Sequence, residues 1–364
     1  MDLVNLWPTL QKKVDTMIEQ IGSKSPHVDI EGVYDDIRLD WWTSGFWPGI
    51  LWIMYDMTKE EKYRQQAWDW DLKIEACFQK ENNFHHDVGF QFLPTAVAKY
   101  IMTGDMDGRR RGLQAANFLA GRFNQAGRFL RAWNQDKHGW AIIDSSMNLS
   151  ILLWASEELG DSRFKQVAMS HADTVLEHFI RDDGSVCHIV SFDPDTGAYI
   201  EALGGQGFSP TSSWSRGQSW ALHGLANVYR YTKESRYLEA AKRVAHYFMA
   251  NTIVDPIPLW DFRTGDADLE LKDTSAAACA ASGLLEIADL VPSEEANLYR
   301  NQAMRIMDAL TRDYADLDGS RESILREGTG NKPAGQNVNV GLIYGDYYYI
   351  ETAAKLMNWS NRIF

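Results

Sequence analysis

Cysteine is scarce in this chain. Cys77, Cys187 and Cys279 are the only three among 364 residues, far apart and outside any CxxC spacing. An odd, scattered set argues against a disulfide framework and against a cysteine zinc site, and it fits reduced thiols in a cytoplasm. Basic residues are outnumbered as well, 36 Lys and Arg against 50 Asp and Glu, for a formal charge of -14. So acidic a chain has no basic face for nucleic acid or an anionic membrane, and any anionic ligand must be met by a local basic pocket. Long apolar runs are missing too. The opening stretch, Met1 to Lys13, carries Leu3, Val4, Leu6 and Trp7 without an extended hydrophobic core or a basic leader, so neither a signal peptide nor a membrane anchor is expected. No low-complexity linker divides the chain, which is expected to form one unit over residues 1–364. Its 45% hydrophobic and 24% charged residues are ample for a packed core.

What is present is a recurring phrase: a short polar turn, then an aromatic, then alanine four residues later. Thr58-Lys-Glu-Glu-Lys-Tyr63 leads to Ala67, Gly160-Asp-Ser-Arg-Phe164 to Ala168, and Thr232-Lys-Glu-Ser-Arg-Tyr237 to Ala241. A looser copy runs from Thr103-Gly-Asp-Met to Ala115 and Ala116. Each follows an apolar, helix-like run, so the unit reads as helix, tight turn, helix. The copies are irregularly spaced, whereas open helical arrays repeat strictly, for example about every 34 residues. Irregular spacing favours a closed ring of hairpins. Two stretches, Ala198 to Thr211 and Gly328 to Gly341, read as long functional loops.

Between the hairpins lie concentrations of tryptophan, histidine, arginine and carboxylate. Trp41-Trp42-Thr43-Ser44-Gly45-Phe46-Trp47 offers aromatic faces that either fill a core or stack on sugar rings. His85-His86-Asp87 sits between apolar neighbours; such polar groups need partners or a job, as a metal site, a structural carboxylate or a catalytic one. No second ligand pair of recognisable spacing accompanies it, so no metal is expected. Asp144 precedes a helical pattern (Met147, Ile151, Trp154, Ala155), where it could cap the helix. Two isolated carboxylates in apolar settings, Asp87 and Asp144, are also the usual equipment of glycosidases, whose acid and base need pKa values pushed apart. Finally, His188, Gln206 and Trp214-Ser-Arg216-Gly-Gln218-Ser-Trp220 could hold an acidic sugar. Arg216 and Trp220 at i, i+4 spacing could stack a ring and meet its charge, unless the arginine is structural.

Taken in order, Pro26-His27-Val28, Trp42-Thr-Ser-Gly-Phe-Trp, His85-His86-Asp87-Val-Gly-Phe, Ile142-Ile-Asp144, Gln206-Gly, Ser213-Trp-Ser-Arg-Gly-Gln-Ser-Trp220, Asp273-Thr-Ser-Ala and Gly345-Asp-Tyr-Tyr-Tyr349 resemble the unsaturated glucuronyl hydrolases of glycoside hydrolase family 88. The resemblance spans nearly the whole chain. It implies an all-α, (α/α)6 toroid and an enzyme that needs no cofactor and no metal. Its substrates would be small unsaturated oligosaccharides left by polysaccharide lyases, handled in the cytoplasm by a monomer or weak homodimer.

The implied chemistry hydrates the C4=C5 double bond of a terminal uronate. Asp144 matches the carboxylate that protonates C4 and then takes a proton from the water adding to C5, with Asp87 as its partner; burial beside a second carboxylate should raise the pKa of Asp144. Trp42, His86, Trp133, His188, Gln206, Trp214, Arg216 and Trp220 match substrate contacts. The loops after Gln206-Gly207 and from Gly328 to Gly341 are individual and would border the leaving sugar, where Lys332 either meets a sulfate or stays solvated. Three other readings are weighed: an unsaturated rhamnogalacturonyl hydrolase acting on pectin fragments, a noncatalytic sugar-binding protein, and an inverting glycosidase acting on saturated sugars.

Overall fold

The structure is a computed structural model and describes residues 3–134, 136–265 and 268–364. Of the opening stretch weighed above as a leader, Met1 and Asp2 lie outside the described residues. In chain order the helices are α1 (Leu3–Ile21), α2 (Phe46–Thr58), α3 (Glu61–Ala67), α4 (Trp70–Glu75), α5 (Val88–Phe92), α6 (Ala98–Thr103), α7 (Met106–Ala120), α8 (Ser145–Leu159), α9 (Ser162–His178), α10 (Ser215–Thr232), α11 (Ser235–Asn251), α12 (Thr274–Leu290), α13 (Ser293–Ala309) and α14 (Ile343–Leu356). A π-helical turn, Leu93–Val97, joins α5 and α6 into one rod.

Among the described residues, six rods form an inner ring: α2, α5–α6, α8, α10, α12 and α14 pack neighbour on neighbour, and α14 returns to α2 to close it. Each inner rod has an outer partner, α3, α7, α9, α11 and α13 in turn, with α1 lying against α14. The molecule is therefore an (α/α)6 toroid. Sequence explains the two layers. Inner helices are buried on nearly every side, and α12, Thr-Ser-Ala-Ala-Ala-Cys-Ala-Ala-Ser-Gly-Leu-Leu-Glu-Ile-Ala-Asp-Leu, uses small residues to let two neighbours approach. At Gly283 a Cβ would fall 2.6 Å from Leu222 Cδ1 and 2.7 Å from His223 Cβ. Outer helices are apolar on one face only, as surface helices are.

The recurring phrase marks the inner-to-outer turns. Lys59, Gly104, Gly160 and Lys233 all adopt left-handed conformations that end an inner helix. The aromatic and the alanine that follow, Tyr63 with Ala67, Phe164 with Ala168 and Tyr237 with Ala241, are all buried. Tyrosine adds a second job, because its hydroxyl reaches the next outer helix: Tyr63 to Asp15 of α1 at 2.7 Å and Tyr237 to Asp173 of α9 at 2.8 Å. α13 repeats the device with Tyr299, paired to His246 of α11 at 2.9 Å, and with Ala303.

Short strands decorate one end of the ring. β1 (Val28–Ile30) and β2 (Val33–Tyr34) join β8 (Gly328–Asn331) and β9 (Gln336–Leu342) in the order β2-β1-β9-β8, tying the start of the chain to its last hairpin. β3 (Phe123–Asn124) pairs with β4 (Phe129–Leu130), and β5 (Trp140–Ile142), β6 (Ile189–Phe192) and β7 (Tyr199–Leu203) form a three-stranded antiparallel sheet. The axis of the ring is filled, not open: Phe46, Phe90, Trp220, Tyr347, Tyr348 and Phe364 pack there as a continuous aromatic plug.

Candidate active site

The inner rods begin just after Gly45, Asp87, Asp144, Trp214, Asp273 and Leu342. A cleft of about 290 Å³ lies over this end of the ring, bounded by residues at five of these helix starts, all but that of α12, and by the β8–β9 hairpin. That volume is at the lower edge of the ~300–1,000 Å³ usual for small-molecule sites. Helix N-termini present unpaired N–H groups and a positive dipole end, a favourable setting for an acidic sugar.

Asp87 and Asp144 both line the cleft. Asp144 stands at the head of α8, yet its side chain caps nothing. Its Oδ2 is buried without a hydrogen-bond partner in the protein. The nearest cationic or ring nitrogen is Nε2 of His188, at 3.6 Å. His188 Nδ1 accepts the backbone N–H of Gln206 at 2.8 Å, so the ring proton sits on Nε2, facing the carboxylate. Gly205 makes this contact attainable. It has φ +58°, and a Cβ there would fall 2.1 Å from His188 Nδ1.

Asp87 is the deeper of the two. Asn148, one turn along α8 from Asp144, donates its amide to Asp87 Oδ1 at 3.0 Å and to the Asp144 carbonyl at 3.2 Å, while its own oxygen accepts the N–H of Phe90. Burial raises the pKa of Asp87 well above the carboxylate range, the charge of Asp144 adds to this, and the bond from Asn148 works against it. Of the two side chains Asp87 is the more completely removed from water.

His86 Nδ1 bonds to Ser145 Oγ at 2.7 Å, which ties α5 to the head of α8. Burial holds His86 well below its usual pKa, helped by His85 and Arg122, and burial with Arg122 lowers His85 to about 4. Both rings are thus neutral at neutral pH. His85, His86 and Asp87 offer ligand atoms within 4.8 Å of one another, the one such set among the described residues with a spacing that could hold a metal ion.

Opposite this wall, Arg216 is buried and heavily engaged. It pairs with Asp273 and donates to the carbonyls of Thr329 and Gly330, each at 2.6 Å. Its guanidinium lies 4.5 Å from the ring centre of Trp214 and 5.3 Å from that of Tyr344. Burial opposes its charge, but Tyr344 and Asp273 more than offset this and its pKa is raised. Arg216 thus keeps a charged, aromatic-backed guanidinium at the wall of the cleft, with Asp273 as its counter-ion.

Comparison with known proteins places this geometry. The model for Glycosyl Hydrolase Family 88 matches residues 12–364. An unsaturated glucuronyl hydrolase from Bacillus sp. (strain GL1) is 35% identical over 353 residues, 93% of this chain and 92% of that one. An unsaturated chondroitin disaccharide hydrolase from Streptococcus pyogenes serotype M1 is 33% identical over 86% of this chain and 80% of its own length. The crystal structure of the Bacillus sp. GL1 unsaturated glucuronyl hydrolase superposes with TM-score 0.91 at 34% identity, covering 95% of this chain and 94% of that one. A mutant unsaturated glucuronyl hydrolase from Streptococcus agalactiae complexed with dGlcA-GalNAc6S superposes with TM-score 0.86 at 27% identity, over 100% of this chain and 94% of that one.

The chain belongs to glycoside hydrolase family 88.

In this family 88 hydrolase, eight of the ten expected site residues meet in the cleft: Asp87, Asp144, Trp42, His86, Trp133, His188, Gln206 and Arg216. Two do not. Trp220 is fully buried in the axial plug, 5.1 Å from Phe90 and 5.6 Å from Tyr348 between ring centres, so it is a core residue and not a sugar platform. Helical spacing puts Arg216 and Trp220 on one face, but that face descends from the mouth into the core. Trp214 is also buried, one layer below the cleft. It supports His188, 4.4 Å away between ring centres, as well as Arg216. Lys332, a third exposed, forms an ion pair with Asp268 at 3.0 Å.

The cleft adds residues that the motifs did not single out as contacts: His27, Trp41, Tyr344, and Asn331, Gln336 and Asn337 from the β8–β9 hairpin. His27 and Trp41 lay within quoted motifs, and Tyr344 directly precedes Gly345-Asp-Tyr-Tyr-Tyr349. The hairpin residues carried only one signal, a glycine- and asparagine-rich stretch, and Asn337 indeed needs φ +54° to turn the strand.

Proposed function

We propose that Asp144 is the general acid and base of an unsaturated glucuronyl hydrolase, acting on the terminal 4,5-unsaturated uronate of short lyase-generated oligosaccharides. The observation that carries this is Asp144 Oδ2: a buried carboxylate oxygen at the centre of the cleft, without a partner, beside an oriented His188 N–H. An unpaired buried carboxylate is costly to keep, and substrate is the partner it lacks.

Asp144, in its acid form, delivers a proton to C4, leaving positive charge shared between C5 and the ring oxygen. Water adds at C5 and gives its proton back to the Asp144 carboxylate. The hemiketal so formed opens at the C5–O5 bond, and the freed C1 centre releases the shortened saccharide; one water is consumed. Asp87, its own pKa raised by burial, holds ring hydroxyls. Trp42 and Trp133 face the sugars, and Gln206 with Arg216 meets the uronate. Residues from all round the ring line the cleft, so the chain works as one catalytic unit. The work is placed in the cytoplasm, supported by buried free thiols at Cys77, Cys187 and Cys279; among the described residues no helix is long and apolar enough to cross a membrane.

The test follows loss of the ultraviolet absorbance of the conjugated double bond in an unsaturated chondroitin or hyaluronan disaccharide. Wild type should bleach it and Asp144→Asn should not. Bleaching of pectin-derived disaccharides alone would hand the assignment to a rhamnogalacturonyl hydrolase; equal activity of Asp144→Asn would remove the residue from the chemistry.

A further inference from the structure

Beside the carboxylate cleft a groove of about 260 Å³ opens, and Trp41, His85 and Trp133 border both spaces. Its outer wall carries Arg38 and Lys137. The two cations are not equivalent. Arg38 is answered by Asp40, with Nε 3.2 Å from Oδ1. Lys137 is held by aromatic faces instead: its ammonium lies 4.7 Å from the ring centre of Trp133 and 4.4 Å from that of Trp140.

A cation over indole rings is stabilised by their quadrupoles yet keeps its whole charge, whereas an ion pair would cancel it. Among the described residues Lys137 forms no ion pair. Lys137 is thus a cation without an ion-pair partner among the described residues, at the edge of the catalytic cleft, in a groove that Asp136 also lines. The Trp133 side of the groove is held by Arg122, which donates to the carbonyls of Arg131, Ala132 and Trp133 and to Asn134 Oδ1, at 2.9–3.0 Å.

We propose that this groove is a distal subsite for the leaving saccharide, in which Lys137 meets an anionic substituent, a carboxylate or a sulfate, on a sugar beyond the reacting bond. The proposal rests on the function assigned above and extends it. Trp133 is the shared wall: it lines both spaces and carries the lysine over its ring. The enzyme would then favour lyase products longer than disaccharides when their leaving portion is acidic.

The experiment compares three unsaturated tetrasaccharides: one whose leaving trisaccharide is neutral, one in which it carries a carboxylate, and one in which it carries a sulfate as well. The readout is the ratio of kcat/KM for each acidic substrate to that for the neutral one. Lys137→Ala should lower the ratio about three- to fivefold at low salt, as expected for one partly exposed ion pair. Lys137→Arg should restore most of it, and high salt should erase it in wild type. A fall with the carboxylate substrate alone, or only when sulfate is added, identifies which anion is read.

An unchanged ratio in Lys137→Ala, or an equal loss on all three substrates, would overturn the proposal; the latter would mean that Lys137 merely props Trp133. Titration of the acidic trisaccharide product, followed by tryptophan fluorescence, supplies a reading without turnover. Weaker binding to Lys137→Ala supports the subsite, and equal affinity rejects it. Failure of wild type to consume any unsaturated substrate would instead reject the function, and the binding arm would still decide the subsite.

Discussion

His188 Nε2 faces Asp144 Oδ2 at 3.6 Å, and the N–H of Gln206 on the other ring nitrogen decides that this face carries the proton. The carboxylate thus has a donor held just beyond bonding distance, able to close on it when substrate excludes water. His188→Ala should lower kcat/KM about 100-fold, within the range for a group assisting proton transfer. Gly205→Ala should do nearly the same without touching substrate, because its Cβ would displace the ring. Initial rates on an unsaturated disaccharide test both; a Gly205→Ala enzyme as fast as wild type would show that the orientation is irrelevant.

Asn148 joins the two carboxylates, and it acts on them as a positioning residue. Its amide favours the ionised form of Asp87, so removing it should raise the pKa of Asp87 further. In Asn148→Ala the alkaline limb of the pH–rate profile should therefore move to higher pH, alongside a drop in kcat. A purely structural role would lower thermal stability and leave the profile in place.

Asp346 gives the fold its own pH dependence. Burial pushes its pKa to about 7 from an ordinary 3.8, against the opposing bonds from the N–H groups of Ile324 and Leu325 and from Tyr34 OH. The folded state then binds a proton that the unfolded state has already released. Stability from this group is present below 3.8 and is lost as pH rises toward 7. Thermal unfolding of Asp346→Asn should show a flatter pH dependence across that window; an identical slope in wild type and variant would sink the assignment.

Trp220 and Trp133 should separate stability from binding. Trp220→Ala empties the axial plug and should cost about 3–5 kcal/mol, read as a lowered denaturant midpoint. Trp133 is half-buried at the cleft. Trp133→Ala should raise KM with little change in that midpoint. The reverse pattern would exchange their roles.

Much of this was legible in the residues. Hairpin turns announced themselves through polar residues followed by an aromatic and an alanine, because each turn must end one helix, seat the next and bury a ring between them. One copy, Tyr299 with Ala303, went unremarked because Pro292 replaces the usual polar turn before it. Asp87 and Asp144 stood out since an isolated carboxylate among apolar neighbours needs a reason. Trp220 misled for the same cause that made it visible: helical spacing tells which residues share a face, not how far down that face the core begins.

The sequence by itself therefore determined the helical hairpins, the family to which they belong and most of the polar residues of the cleft, since all of these are written in local spacing and side-chain chemistry. Only the tertiary structure decided that Asp87 holds the raised pKa, that Asp273 answers Arg216, and that the β8–β9 hairpin forms a wall of the cleft. Those outcomes depend on desolvation and on contacts such as Arg216 to the carbonyl of Thr329, 113 residues away, which exist only once the ring has closed.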